Sequence, residues 1–174
     1  MSDFNLICLH FQERHLLPRL TAPLSEILDT TIFLGKINPD LETFLNEERK
    51  QYNAAEIISS FEKNSRKKGK SILITSVDLY IPIFTFVFGL AQLNGSTGIV
   101  STCRLKTEFY GLPADEKLLI NRLVKEVIHE LGHLLNLRHC PHYYCVMFSS
   151  NAADDLDIKG DQFCKSCLDK LKIR

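Results

Sequence analysis

The chain has 174 residues, of which 45% are hydrophobic and 24% charged, with 21 basic and 21 acidic side chains. This length and balance predict one ordinary domain with a sizeable core and exclude an intrinsically disordered chain. A net charge of zero gives no support for a nucleic-acid or membrane partner.

The N-terminal segment begins acidic and lacks the basic region and long apolar run of a signal peptide. The most apolar window, LYIPIFTFVFGLAQL, is interrupted by Pro82 and Gly89 and is too short to cross a bilayer as a helix. We therefore expect a cytoplasmic protein, in which the six cysteines are thiols or metal ligands rather than disulfides.

The order of strand and helix patterns predicts a mixed α/β (or α+β) chain. A short helix is predicted at residues 24–28, and long helical stretches over residues 40–68, where Ile57, Ile58 and Phe61 are spaced for one buried face. The basic run RKKGK at residues 66–70 is interpreted as a solvated helix end. Strands are predicted at residues 4–11, 31–35, 70–80, 85–93 and 97–105, the last two joined by the hairpin signal NGS.

A long helix is predicted over residues 117–135, with Asp115 as its N-terminal cap. Its apolar side chains recur with helical spacing at Leu119, Leu123, Val127, Leu131 and Leu134. The tail beyond this helix is predicted to be irregular until a short helix near residues 167–172.

Three histidines and one glutamate lie close together in VIHELGHLLNLRHC, residues 127–140. His129 and His133 are four residues apart on the predicted helix, so both imidazoles lie on one face and can share a zinc ion. Glu130 points about 100° around the helix from His129. From that position it can take a proton from a zinc-activated water without binding the metal itself.

His139 reaches the same ion only if the helix ends before it, because a straight helix would carry it about 9 Å beyond His133. Asn136 lies between them, and asparagine, after glycine, best tolerates the left-handed conformation of a helix end. The sequence therefore predicts a reversal near Asn136 and a site of three histidines. Three protein ligands leave a fourth position open, as in catalytic zinc sites.

Four of the six cysteines have the spacing of a second metal site: Cys140, Cys145, Cys164 and Cys167. Four thiolates make a closed, structural zinc site, which can fold a tail that has few large apolar residues. Two alternatives stay open, namely free or redox-active thiols and a site in which His142 replaces one sulfur. Cys8 and Cys103 fall within predicted strands and are expected to be buried small hydrophobic side chains.

The C-terminal part of the chain resembles the archaemetzincins, a branch of the metzincin zinc metalloproteases. Their pattern is HExxHxxGxxH, then C-x4-C-x-M, then a CxxC pair. The matching residues are His129, Glu130, His133, His139, Cys140, Cys145, Met147, Cys164 and Cys167. The upstream stretch VDLYIPIFTFVFG is also similar to the family.

This resemblance implies a twisted sheet with two long helices above a small C-terminal subdomain, with the active-site cleft between them. It implies that the three histidines bind a catalytic zinc, that Glu130 is the general base, and that Met147 is the Met-turn residue beneath the zinc site. With the four-cysteine site, two zinc ions per chain are expected, one catalytic and one structural.

Two positions depart from the family pattern. Asn136 replaces the usual glycine, and Ser149 stands where some metzincins carry an additional tyrosine ligand. Tyr143 or Tyr144 is an alternative group that could polarise a substrate carbonyl.

We expect one metzincin-like catalytic domain over residues 1–174, with an N-terminal subdomain at 1–135 and a C-terminal subdomain at 136–174. The predicted activity is hydrolysis of a peptide or protein substrate that lies extended along an exposed sheet edge, with residues 85–93 as the candidate edge strand. The alternative is a zinc-stabilised binding protein or a latent enzyme with little turnover, in which side chains cover the first zinc. A monomer is favoured.

Overall fold

Strands and helices alternate along the computed structural model, which describes residues 4–65 and 69–172. The strands are β1 (Phe4–Leu9), β2 (Ile32–Ile37), β3 (Leu45–Asn46), β4 (Gln51–Asn53), β5 (Lys70–Thr75), β6 (Leu79–Tyr80), β7 (Gly89–Ala91) and β8 (Thr97–Ser101). The helices are α1 (Leu17–Leu28), α2 (Ala54–Asn64), α3 (Glu116–Leu134), α4 (Ala153–Ile158) and α5 (Lys165–Lys172). The predicted mixed α/β class is confirmed.

The main sheet has the strand order β2-β1-β5-β8-β7. Its first four strands run parallel, whereas β7 pairs antiparallel with β8 and forms one edge. A smaller sheet has the order β3-β4-β6. The predicted hairpin between the last two strands is therefore confirmed, and its first strand is an edge strand.

Helices cover both faces of the main sheet. Leu6 and Cys8 of β1 belong to the core that contains α1 and α3, whereas Ile7 and Leu9 pack on the other side with α2. All six residues of β1 are buried. This continuous burial is typical of a parallel strand enclosed between two helical layers.

The stretch before α2 differs most from the sequence prediction. Residues 45–53 form the β3–β4 hairpin instead of a helix, with Lys50 in a left-handed conformation at φ 53°. Helix α2 begins only at Ala54, where the Asn53 side chain accepts hydrogen bonds from two helical N–H groups. The helix-favouring composition of this stretch is overridden by strand pairing and long-range side-chain contacts.

Other elements differ in length. Helix α1 is longer than predicted because it accommodates Pro18 in its first turn and Pro23 inside it. The predicted strand at 70–80 is divided between β5 and β6 in two different sheets, and α4 was not predicted. Cys8 is buried as expected, but Cys103 is half-buried in a 3-10 turn rather than in a strand. Residues 66–68 of the basic run lie outside the described residues.

Helix α3 forms as predicted and carries the first two histidines. Asp115 caps it by accepting a hydrogen bond from the Leu118 N–H at 2.8 Å. The five apolar side chains named above for this helix are all buried in the main core. Residues of the following segment, including Leu137, Val146 and Met147, belong to the same core. Among the described residues, no helix combines the length and apolar character needed to cross a membrane.

The chain reverses at the end of α3, as predicted. Asn136 has φ 66°. Its N–H donates to the His133 carbonyl at 2.8 Å, and the Leu137 N–H donates to the Gly132 carbonyl at 2.8 Å. This pair of bonds is a Schellman motif, in which the residue after the helix adopts the left-handed conformation.

We predict that Asn136→Val destabilises the fold by about 1–3 kcal/mol, because a β-branched residue is strained at this φ. Asn136→Gly should stay within about 1 kcal/mol of the parent, since glycine adopts this conformation freely. Chemical unfolding of both variants measures the effect. Asn38→Val is the matched control at an exposed position outside the left-handed region. A valine at 136 that costs no more than the control would contradict the prediction.

Candidate metal centre

The structure brings the side chains of His129, His133 and His139 together. One ring nitrogen of each lies within 4.8 Å of the others, and the Nε2 atoms of His129 and His133 are 3.1 Å apart. Two of these residues come from the last turns of α3, and His139 returns to them after the reversal at Asn136.

The hydrogen bonds of the two helical imidazoles determine which nitrogen faces the cluster. Nδ1 of His129 donates to the Val146 carbonyl at 2.8 Å, and Nδ1 of His133 donates to the Leu137 carbonyl at 2.9 Å. Each Nε2 is then left with a lone pair directed at the other, which is unfavourable without a cation between them. A tetrahedral zinc ion with bonds of about 2.0–2.1 Å separates two ligand nitrogens by about 3.3 Å. The cluster therefore fits this metal.

Burial also keeps these imidazoles in the form that binds metals. Desolvation lowers the pKa of His129, His133 and His139, and the nearby Lys159 ammonium lowers each pKa further. The neutral form, which carries the free lone pair, is thereby favoured at neutral pH.

Glu130 lies beside the histidines and is 4% exposed. Its Oε2 atom is buried and has no hydrogen-bond partner among the described residues. Burial, with the charge of Glu126 one helical turn earlier, raises the pKa of Glu130 well above its usual range. A divalent cation at the histidines would instead lower the pKa of Glu130. A buried carboxyl group of this kind marks a position where chemistry with a ligand or water is expected.

Three further residues contact Glu130 or its surroundings, and sequence reasoning missed them. Gly89 of β7 lies so close that an added Cβ would be 2.8 Å from both Cγ and Oε1 of Glu130. The buried Lys159 ammonium lies 3.9 Å from Glu126 Oε2 and donates to the Phe148 carbonyl at 3.3 Å. The spacing of Glu126 and Glu130, one turn apart on α3, was a signal in the sequence, but nothing local indicated Gly89 or Lys159.

Met147 packs against the histidine-bearing helix from the side opposite β7. It is fully buried, and a Cβ at Gly132, the residue before His133, would overlap its sulfur. Its carbonyl accepts a hydrogen bond from the Cys140 N–H at 2.9 Å. Met147 therefore connects the helix with the four-cysteine segment.

The four cysteines form a second cluster. The Sγ atoms are 3.7 Å apart for Cys140 and Cys164 and 3.8 Å apart for Cys145 and Cys167, and all four lie within 4.8 Å of one another. A disulfide bond requires about 2.05 Å, whereas zinc with four thiolates at about 2.3 Å separates the sulfurs by about 3.8 Å. All four thiols are free and buried, and they fit a closed zinc site.

The residues that the sequence offered as alternative zinc ligand or carbonyl-polarising group are His142, Tyr143 and Tyr144. His142 is not part of the cysteine cluster and stacks on Tyr144, with ring centroids 5.5 Å apart. Tyr143 and Tyr144 are exposed and do not line the cleft beside the histidines, whereas Ser149 does. Their position gives no support for a role of either tyrosine in polarising a substrate carbonyl, and that role stays a prediction.

An open cleft of about 390 Å³ borders the histidines and Glu130. One wall consists of residues 81 and 84–91, which include β7 at the edge of the main sheet. Ser149, Ser150 and Asn151 line another side. The cleft is large enough for a small ligand or a short stretch of peptide, and it gives access to the histidine cluster.

Neutral imidazoles that converge beside a buried carboxyl group in an open cleft define a metal-dependent hydrolase on a mixed α/β fold. The chain belongs to peptidase family M54, whose family model matches residues 26–173. It is therefore a zinc metallopeptidase, and its substrates are peptides or proteins.

Individual relatives agree with this assignment. The chain is 44% identical over 146 residues to an archaemetzincin of Thermococcus kodakarensis, covering 83% of this chain and 74% of the relative. The crystal structure of the Methanopyrus kandleri archaemetzincin matches with a TM-score of 0.83 at 31% identity, over 99% of this chain and 95% of that one. A zinc-dependent peptidase of Methanocorpusculum labreanum matches with a TM-score of 0.81 at 31% identity, over 97% and 99%.

We predict that Gly89→Ala destabilises the protein, because the new methyl group would lie 2.8 Å from the Glu130 side chain, which it displaces, and 2.9 Å from the Ile99 carbonyl oxygen. In a Glu130→Ala background, Gly89→Ala should lower the free energy of unfolding by less. The two substitutions should therefore show an interaction energy of about 0.5–3 kcal/mol. Chemical unfolding of the two single variants and the double variant measures this coupling. Gly95→Ala is the control in the same hairpin, because its Cβ would meet Gln92 and Leu134 instead of Glu130. Equal costs of Gly89→Ala in both backgrounds would show that Glu130 is not displaced.

Proposed function

We propose that this protein hydrolyses peptide bonds in the cleft beside α3, with zinc held by His129, His133 and His139 and with Glu130 as the general base. The observation that carries the proposal is the convergence of three neutral imidazoles beside a buried carboxylate oxygen that has no partner among the described residues. When bound, zinc would supply a Lewis acid that acidifies water and polarises the scissile carbonyl.

The chain's own groups perform the proton transfers. Glu130 accepts a proton from the attacking water through the carboxylate that faces the cleft, and it later donates this proton to the leaving amine. Its buried position strengthens its basicity because desolvation disfavours the charged form. The Val146 and Leu137 carbonyls hold the helical imidazoles in the orientation in which Nε2 faces the metal position.

The substrate would lie extended along β7. One edge of β7 pairs with β8, and Gly89, Leu90 and Ala91 all border the cleft. An extended peptide can add to this edge through its main-chain groups. This arrangement supports an enzyme over the alternative of a latent or binding protein, because the cleft is open beside the histidines.

We also propose that the four cysteines hold a second, structural zinc ion, so that the chain binds two zinc ions. Residues 136–174 would then form the C-terminal subdomain of a single catalytic domain. Cys140 directly follows His139, so the structural site fixes the backbone that carries the third histidine. Support for this proposal comes from the agreement of the sulfur–sulfur distances with tetrahedral zinc.

Glu130→Gln is predicted to lower the rate of peptide cleavage by at least about 100-fold, because the amide cannot accept the proton. Zinc content should be unchanged, since Glu130 is not among the proposed ligands. The measurement is cleavage of an unfolded, alkylated protein by zinc-loaded enzyme, with Glu116→Gln as the control on the exposed first turn of α3. Undiminished cleavage by purified Glu130→Gln would overturn the role of Glu130. Zinc binding without cleavage by the parent chain would favour the latent protein.

Cys164→Ser is predicted to reduce the zinc content from two ions per chain to one and to lower the unfolding midpoint, since three thiolates bind zinc less tightly than four. Elemental analysis and thermal unfolding measure the two effects. Cys103→Ser is the control, because Cys103 is a free cysteine outside the cluster. If Cys164→Ser retains both ions and the parental midpoint, the proposal of a structural zinc site is wrong.

A further inference from the structure

One wall of the cleft is an apolar segment with few main-chain hydrogen bonds of its own. This wall segment comprises residues 81–88, between β6 and β7. Ile81, Phe84 and Phe86 are among the residues that line the cleft, and Phe84 is 57% exposed. The Phe84 N–H donates to the Ile81 carbonyl within the segment, and the Val87 N–H donates to the Leu79 carbonyl of β6. These two bonds leave the carbonyls of Phe84 and Thr85 to be satisfied by other groups.

Arg49 satisfies both carbonyls from the β3–β4 hairpin. Its Nη2 donates to the Phe84 and Thr85 carbonyls, each at 2.7 Å. The guanidinium also lies over the Tyr80 ring, 4.3 Å from its centroid. Arg49 is held in turn by Gln51, whose Oε1 accepts from Nε at 2.9 Å.

Arg49 belongs to a continuous polar network that holds the wall segment from two sides. The buried Gln51 Nε2 donates to the Thr85 carbonyl and to Asp78 Oδ2, both at 3.0 Å. Asp78 accepts two hydrogen bonds from Arg104, at 2.7 and 2.8 Å. The Arg104 guanidinium stacks on the ring of Phe86, 4.3 Å from its centroid, so the network ends on the segment where it began.

We propose that Arg49 is a positioning residue for substrate, which fixes the wall segment so that its apolar side chains meet an apolar substrate side chain beside the scissile bond. The proposal deepens the proposed peptidase function and rests on it. A loop that is held in its binding conformation before the substrate arrives lowers the ordering cost of binding. Loss of Arg49 therefore weakens substrate binding and leaves the proton-transfer groups in place.

The test compares Arg49→Met, which removes all the donors, with Arg49→Lys, which keeps the charge but loses the planar guanidinium. Arg19→Met is the control, because Arg19 is an exposed residue of α1 whose ion pair with Glu116 lies outside the cleft. The unfolding midpoint and zinc content of every variant are measured first. The lysine variant keeps the test possible if the methionine variant does not fold.

For a peptide with a phenylalanine beside the scissile bond, we expect KM to rise roughly tenfold in Arg49→Met and less in Arg49→Lys, with kcat within about twofold of the parent. The matched peptide with alanine should show little change in KM. Amide hydrogen exchange at Phe84 and Val87 should become faster without any substrate. If Arg49 had only a structural role, its loss would lower kcat and zinc content together. The change would then be the same for the phenylalanine and the alanine peptide.

If exchange at Phe84 and Val87 is unchanged in Arg49→Met, Arg49 does not hold the wall segment. If exchange is faster but KM is unchanged, the held segment does not bind substrate. Either result overturns the proposal. If the parent chain cleaves neither peptide, the peptidase proposal fails separately. In that case, binding of the phenylalanine peptide is followed by amide hydrogen exchange in the wall segment. If the peptide slows this exchange in the parent but not in Arg49→Met, the positioning role is still supported. If the peptide does not slow exchange in the parent, the positioning role is overturned.

Discussion

The backbone reversal at Asn136 is the constraint on which the rest of the site depends. The Schellman bonds that end α3 return the chain so that His139 faces His129 and His133. Cys140 follows immediately and begins the second cluster, and its N–H donates to the carbonyl of Met147. Each cluster therefore restricts the backbone of the other, and neither can shift without moving the end of the same helix.

Helix α3 is fixed by close packing on two sides. Gly132 leaves room for the Met147 sulfur, and the Glu130 side chain fits against Gly89 of β7, where a Cβ would be too close. Protein interiors are packed densely enough that a single additional methyl group at such contacts must displace a neighbour. The position of the proposed base is thus set by strand backbone on one side and by the segment after Cys145 on the other.

Charged groups are buried at this site at a cost in stability. Glu126 and Lys159 form an ion pair at the cleft that the histidines also line, and both are almost fully buried. Buried pairs often contribute little to folding because desolvation offsets their attraction. Their concentration beside a cleft, together with a Glu130 oxygen that has no hydrogen-bond partner in the described part of the chain, is characteristic of a site arranged for chemistry rather than for stability.

The sequence alone determined the features that depend on short-range geometry. These are α3 with its cap at Asp115, the reversal at Asn136, and the grouping of the three histidines, because helical spacing and a short turn bring these residues together with little help from the rest of the chain. The spacing of the cysteines predicted their grouping as well, but α4 lies between Cys145 and Cys164, so the tertiary structure brings the two cysteine pairs together. Tertiary structure alone decided the position of Gly89 against Glu130 and the conversion of residues 45–53 into a hairpin whose Arg49 holds the cleft wall. The contacts of Gly89 with Glu130 and of Arg49 with Phe84 join residues more than 30 positions apart, which no local pattern encodes. The hairpin itself pairs Leu45 with Tyr52, and β4 pairs in turn with β6, and this pairing outweighs helix propensities of less than about 1 kcal/mol per residue.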